Sequence, residues 1–389
     1  MRKFWLIAWW CIIGIFLSAA RPIMQGVEFT NVSQFFDFGQ QIVFQVTIKS
    51  PQPMEEVVLF LQPLGESTRI FQLDPGDQGE IVYKLDATSN PVRAFTRIEY
   101  WYRVKTGGQN IDSPHFSFDY SDNRFPWENL KDDQFEVFWY TGDLDFGQSI
   151  LNTARLALDS AQNIIPANLP KPLKIYVYSD STDLQDALQL AGQTWVAGHA
   201  SPDLGVVLLS IPVGPDQRIE MERQLPHELT HILQYQLLGE KYNRLPIWLA
   251  EGSASIAELY PNPDYQRVID RSATEGVLLP MRLLCNSFPQ EASGAFLAYA
   301  QSTSFSRFFL QSYGASKLND LMLKYADGFD CAQGMSAAVG LSLDQVETRW
   351  QQEYLGINPT GRIFRNLGPY MAIAAVFLIP LVLFLFRRA

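Results

Sequence analysis

The stretch Leu225-Pro226-His227-Glu228-Leu229-Thr230-His231 constrains this chain more than any other. Four positions apart, two imidazoles leave a helix in the same direction, about one turn from each other. A glutamate follows the first of them directly. This is the H-E-x-x-H arrangement, in which two histidines can hold a zinc ion and the carboxylate stands beside the water that the ion activates.

Two histidines leave a catalytic zinc site one protein ligand short, because such sites usually combine three protein ligands with one open position. Further on comes Trp248-Leu249-Ala250-Glu251-Gly252-Ser253-Ala254, with Glu251 twenty residues after His231. Pro246, a favourable first-turn residue, opens a second helix expected to run to about Tyr260. The short Gly-Glu-Lys-Tyr-Asn-Arg connection before it allows a helix–turn–helix that brings Glu251 back against the two histidines. A third histidine six residues beyond His231, with a glycine midway, is excluded because those positions hold Leu237 and Gln234. The expected ligand set is therefore His227, His231 and Glu251, around one Zn2+ ion.

His-Glu-Leu-Thr-His at 227–231, followed by Leu-Pro-x-Trp-Leu-x-Glu-Gly-x-Ala at 245–254, resembles the gluzincin metallopeptidases, and most closely their bacterial peptidase MA-like family. The similarity runs from about Phe125 to about Leu355 and takes in Tyr299-Ala300-Gln301-Ser302 and the segment from Gly340 to Trp350. The resemblance implies zinc at His227, His231 and Glu251, with Glu228 as general base in peptide hydrolysis. It also implies an α+β domain with the site in a cleft between its halves. A tyrosine from a helix downstream of the third ligand should act as oxyanion donor; Tyr299, in a helix from Gly294 to Tyr313, is that candidate. By the same resemblance, the strand Gly205 to Ile211 should be an edge that aligns an extended substrate through its backbone.

The chain ends place this domain. Arg2 and Lys3, an apolar run from Phe4 to Leu17 and Ser18-Ala19-Ala20 read as a signal peptide over residues 1–20, with an uncleaved anchor as the alternative. Leu367 to Phe386 is long enough to cross the ~30 Å hydrocarbon core as a transmembrane helix, and Arg387-Arg388 beyond it should stay cytoplasmic. A cell-membrane protein with a single C-terminal span and its catalytic domain on the extracytoplasmic side follows. An oxidising compartment permits a disulfide between Cys285 and Cys331; two buried thiols are the alternative. The formal charge is −11, and removing the four terminal basic residues leaves 26 basic against 41 acidic, or −15. Such a surface repels phosphate backbones and excludes nucleic acid as a natural partner. A peptide or protein substrate and the membrane remain.

Within residues 25–121, short alternating segments at 42–48, 56–61, 79–85 and 96–104 are separated by turn signals, which predicts an all-β sandwich of immunoglobulin-like type. Residues 125–358 carry the metallopeptidase-like domain: strands at Phe135–Tyr140, Leu173–Tyr178, Thr194–Ala197 and Val206–Ile211, helices from Phe146 and Asp180, and a helical half from about Asp216. Pro226 cannot donate inside a helix, so the metal helix is expected to start at about Leu225, with Pro226 in its first turn.

Each ligating imidazole needs an acceptor for its other ring nitrogen. Ser255 and Glu258 both stand on a suitable face, and both stay open for His227 or His231. Tyr313 and the turn residue His199 are weaker oxyanion donors than Tyr299, and His115 is expected to be inert. Two further readings compete with a peptidase: a zinc hydrolase acting on a non-protein amide or ester, and a surface binding protein that uses the β-sandwich and keeps a peptidase-like scaffold.

Overall fold

The computed structural model describes residues 26–76, 79–170, 172–188 and 198–357. The expected signal peptide, transmembrane segment and strand at 194–197 lie outside them. Among the described residues no helix is long and apolar enough to cross a membrane. The chain divides after Ser121 into two compact units.

The first unit is built of antiparallel strands: β1 (Glu28–Asp37), β2 (Gln41–Lys49), β3 (Met54–Pro63), β4 (Arg69–Leu73), β5 (Glu80–Asp86), β6 (Arg97–Thr106), β7 (Gln109–Asp112) and β8 (Phe116–Asp119). One sheet has the order β1-β2-β5; the other runs β4-β3-β6-β7, with β8 also on β6. Period-two alternation turns Ile98, Tyr100, Tyr102 and Val104 of β6 inward. The rings of Phe44 on β2 and Tyr100 on β6 meet at 5.1 Å, so the two sheets share an apolar layer.

The second unit opens with β9 (Glu128–Lys131), β10 (Phe135–Trp139), α1 (Leu144–Gln162), β11 (Leu173–Tyr178), α2 (Ser181–Leu188), β12 (Gly198–Ser201) and β13 (Val206–Ser210). Its sheet has the order β12-β13-β11-β10-β9; β10, β11 and β13 are parallel, and β9 and β12 are antiparallel edges. One apolar face of α1, formed by Ile150, Leu151, Ala154, Leu158 and Ala161, is buried. The helical half follows: α3 (Gln217–Leu238), a 3-10 turn Gly239–Arg244, α4 (Ile247–Ala257), α5 (Pro263–Glu275), a turn Met281–Cys285, α6 (Ala292–Ala326), α7 (Cys331–Val339) and α8 (Leu343–Arg349). Parallel strands, α1 and the helical half enclose one core, with Trp139, Trp248 and Trp350 fully buried in it. An N-terminal β-sheet region thus precedes an α+β domain. Cys285 and Cys331 form a disulfide that ties the turn before α6 to the start of α7.

Two expectations need correction. The metal helix does not start at Leu225: α3 runs unbroken from Gln217, with Pro226 inside it. The ring removes the N–H that would have bonded to the Glu222 carbonyl. That carbonyl instead accepts from the N–H groups of Leu259 (2.9 Å) and Tyr260 (3.3 Å), just past the end of α4. An outside donor thus uses the acceptor that proline frees. Second, the strand before the metal helix is no edge, since β13 is buried at every position between β11 and β12. Among the described strands the edge on that side is β12, and His199 lies in that strand rather than in a turn. The expected end of the Tyr299 helix at Tyr313 holds: Gly314 leaves the helical conformation, and a second helical segment of α6 follows directly beyond it. The glycine adopts φ 82° and ψ 167° there, a conformation open to a residue without Cβ.

Candidate metal centre

Residues 227–231 occupy the middle of α3, where one face meets the core through Leu225, Leu229 and Ile232 and the other opens to a cavity of about 790 Å³. His227, Glu228 and His231 line that cavity. Glu251 comes from the second turn of α4 and lines it too. Its Oε2 lies 3.3 Å from His227 Nε2 and 3.8 Å from His231 Nε2. One donor atom from each of the three residues falls within 4.8 Å of the others. A tetrahedral zinc with bonds of 2.0–2.2 Å places its donors about 3.4 Å apart, so this spacing fits such an ion.

Packing brings Glu251 there. A Cβ on Gly252 would stand 2.4 Å from the Ser302 carbonyl oxygen and 2.2 Å from Ser306 Oγ. The missing side chain lets α4 lie directly on α6, which accounts for the glycine after the ligand. Across α4, Gln234 Nε2 donates to the Ala250 carbonyl (2.9 Å) and to Ser253 Oγ (2.8 Å).

The outer ring nitrogens orient the imidazoles. With its amide nitrogen committed to α4, Gln234 turns Oε1 to His231 Nδ1 at 3.0 Å. An acceptor there requires the proton on Nδ1 and leaves the Nε2 lone pair facing the cluster. The Tyr242 hydroxyl, from the 3-10 turn, also lies 3.1 Å from that Nδ1. His227 Nδ1 meets Glu258 Oε1 at 3.2 Å. Glu258 ends α4 in an extended conformation, immediately before the two N–H groups that bond to Glu222. The proline in α3 and the acceptor for His227 are therefore linked through one backbone junction. Of the two acceptors left open by sequence, Glu258 takes this role, whereas Ser255 Oγ is buried without a hydrogen-bond partner.

Charge follows this geometry. Burial works against a charged His227, but Glu251 and Glu258, helped by Glu228, hold its pKa well above the ordinary imidazole value. Burial likewise opposes an ionised Glu251, and His231 and His227 prevail and hold its pKa below the usual carboxylate range. The cluster thus favours a cation between the imidazoles and the carboxylate, and a proton competes with a metal ion for that place.

Glu228 is outside the three-residue cluster and lines the cavity beside it. Its carboxylate packs against β12, where a Cβ on Gly198 would come within 2.6 Å of Glu228 Oε1. Tyr299 lines the same cavity, edge-on to Phe288 at 5.0 Å. Burial first, then Glu251, raise its pKa, so the hydroxyl stays a neutral donor. His199 lines the cavity as well. Tyr313 does not; its hydroxyl accepts from Arg349 at 3.2 Å. His115, in the first unit, stacks on Trp101 at 4.3 Å and pairs with Glu99. Gln234 and Tyr242 were missed as site residues. Gln234 falls three positions after His231, one turn along the same face, and that spacing was the available signal.

Comparison with curated proteins returns no match. Among solved structures, the chain is similar to OgpA from Akkermansia muciniphila (20% identity, TM-score 0.21), with 24% of this chain covered and only 28% of that one. It is also similar to an M1 zinc metallopeptidase mutant from Deinococcus radiodurans (11% identity, TM-score 0.38; 84% and 94% covered). A third likeness is to an aminopeptidase N family protein from Idiomarina loihiensis (10% identity, TM-score 0.36; 84% and 70% covered). Residues 153–356, just over half of the chain, match the Peptidase MA superfamily. That span contains the H-E-x-x-H helix, the returning glutamate and the residues that orient both imidazoles, and by this match the chain belongs to the Peptidase MA superfamily.

Proposed function

We propose that this protein is a membrane-anchored, extracytoplasmic zinc peptidase that hydrolyses peptide bonds with Glu228 as general base. The observation that carries the reading is the convergence of His227 Nε2, His231 Nε2 and Glu251 Oε2 on one point of a large cavity, with a second carboxylate, Glu228, beside them that is not part of the cluster.

His227, His231 and Glu251 would hold the ion. When bound, zinc lowers the pKa of a water from 15.7 towards ~7 and polarises a carbonyl. Glu228, held against β12, takes a proton from the attacking water and delivers it to the leaving amine. Tyr299 donates its hydroxyl hydrogen bond to the carbonyl oxygen as negative charge develops on it. β12, the edge strand of the described sheet beside the cavity, would offer backbone groups to an extended peptide, a mode of alignment that asks little of side chains.

Localisation rests on the chain ends: the basic, apolar and small-residue succession over residues 1–20 and the apolar run ending in Arg387-Arg388. The Cys285–Cys331 disulfide suits an oxidising compartment and supports export. The two facing antiparallel sheets of the first unit support an immunoglobulin-like sandwich, which we read as a spacer or recognition module.

The test is hydrolysis of casein and of small non-peptide amides and esters by the purified zinc-loaded protein, with and without chelator. Chelator-sensitive cleavage of casein supports the peptidase. Turnover of the small amides or esters alone would shift the reading to a different zinc hydrolase, and no turnover of either would favour a binding protein.

A further inference from the structure

Arg223 precedes His227 by four positions on α3 and shares its cavity-facing side. It is the only lysine or arginine among the described residues that line the cavity. Its Nε is buried with no hydrogen-bond partner. Its Nη1 has a contact to Glu220 Oε1 at 3.5 Å, the long limit of a hydrogen bond. The other oxygen of Glu220 accepts from Gln224 at 2.9 Å. The guanidinium carbon lies 5.8 Å from the centre of the Tyr260 ring, and the side chain is 28% exposed. Part of a rigid donor fork is thus unsatisfied in a peptide-sized cavity otherwise rich in carboxylates.

Tyr265 lines the same cavity, its ring edge-on to Phe296 at 5.1 Å. Burial, then Glu258, raise the pKa of its hydroxyl, with Arg223 acting in the opposite sense. It therefore stays a neutral donor close enough to feel the guanidinium. A guanidinium and a phenol together make a receptor for a planar anion.

Given a peptide as substrate, we propose that Arg223, with Tyr265 beside it, receives a carboxylate of that peptide within about two residues of the bond cut. The span follows from the helix: four residues rise about 6 Å, and an extended peptide covers that distance in roughly two residues. The carboxylate can be the C-terminus of the peptide or an Asp or Glu side chain. Arg223 is a specificity residue in this account, and the proposal rests on the peptidase reading.

The experiment compares short peptides that differ only in charge: free C-terminus against C-terminal amide, and Glu against Gln at the first and second positions after the cut. A charge-assisted pair predicts a preference in kcat/KM on the order of ten- to a hundredfold for one carboxylate arm; which arm shows it identifies the source. Arg223→Gln should bring that ratio to about one, and Arg223→Lys should keep part of it. The ratio is internal to each variant, so a general loss of folding does not mimic the effect. Binding of the same peptides to the full chain carrying Glu228→Gln gives a readout that does not need turnover. A preference in binding that Arg223→Gln abolishes supports the receptor even if no hydrolysis is found, which would count against the peptidase reading alone. Equal handling of charged and neutral peptides, or an unchanged ratio in Arg223→Gln, overturns the proposal.

Discussion

Glu228 differs from Glu251 in one respect that decides its role: it stands beside the cluster instead of within it. Removing its charge should therefore leave the ion in place. Glu228→Gln is expected to bind metal as the wild type does and to lose activity by on the order of 10²–10⁴-fold; full activity in that variant would rule out the assigned base. The orienting residues act differently. Gln234 and Glu258 touch the outer nitrogens of His231 and His227, so Gln234→Ala or Glu258→Ala should weaken zinc binding about 10- to 100-fold, read by competition with a chromogenic chelator. Gly198→Ala gives a third outcome. The three atoms nearest its methyl would all belong to Glu228, so turnover should fall while metal affinity stays the same.

Between elements, the two junctions that set the ligand geometry are α4 on α6 and the end of α4 on α3. At the first, a methyl at position 252 meets the backbone of α6, which cannot yield as a side-chain tip could. Gly252→Ala should cost about 1–3 kcal/mol in a denaturant titration and should weaken metal binding as Glu251 shifts; an unchanged midpoint and affinity would contradict this packing. At the second, Pro226 was read from sequence as a helix start because the missing donor is local and visible. What fills the freed acceptor comes from 33 residues further on, at Leu259, and no local pattern announces it. The same limit explains β1. It is an edge strand with no fully buried residue and a bulge after Thr30, and its half-buried side includes Thr30 and Gln34, so no apolar alternation in the sequence marks it as one marked its neighbour β2. By contrast, α1 was legible because its buried positions repeat with the helical period. The metal ligands were legible because their chemistry demands particular residue types at particular spacings.

Across the whole molecule, the disulfide closes a long loop of the helical half, with its cysteines 46 residues apart. Replacing both cysteines with serine should lower stability by about 2–4 kcal/mol, measured by denaturant titration of the reduced-free variant, and should spare the metal cluster, to which neither cysteine belongs. Everything proposed about activity depends on three side chains from two helices meeting on one ion. The most direct test is the zinc content per chain of the purified wild-type protein beside Glu251→Ala, after dialysis against metal-free buffer. The account predicts about one zinc ion per wild-type chain and almost none in the variant. A wild-type chain without zinc, or equal zinc in both proteins, would contradict it.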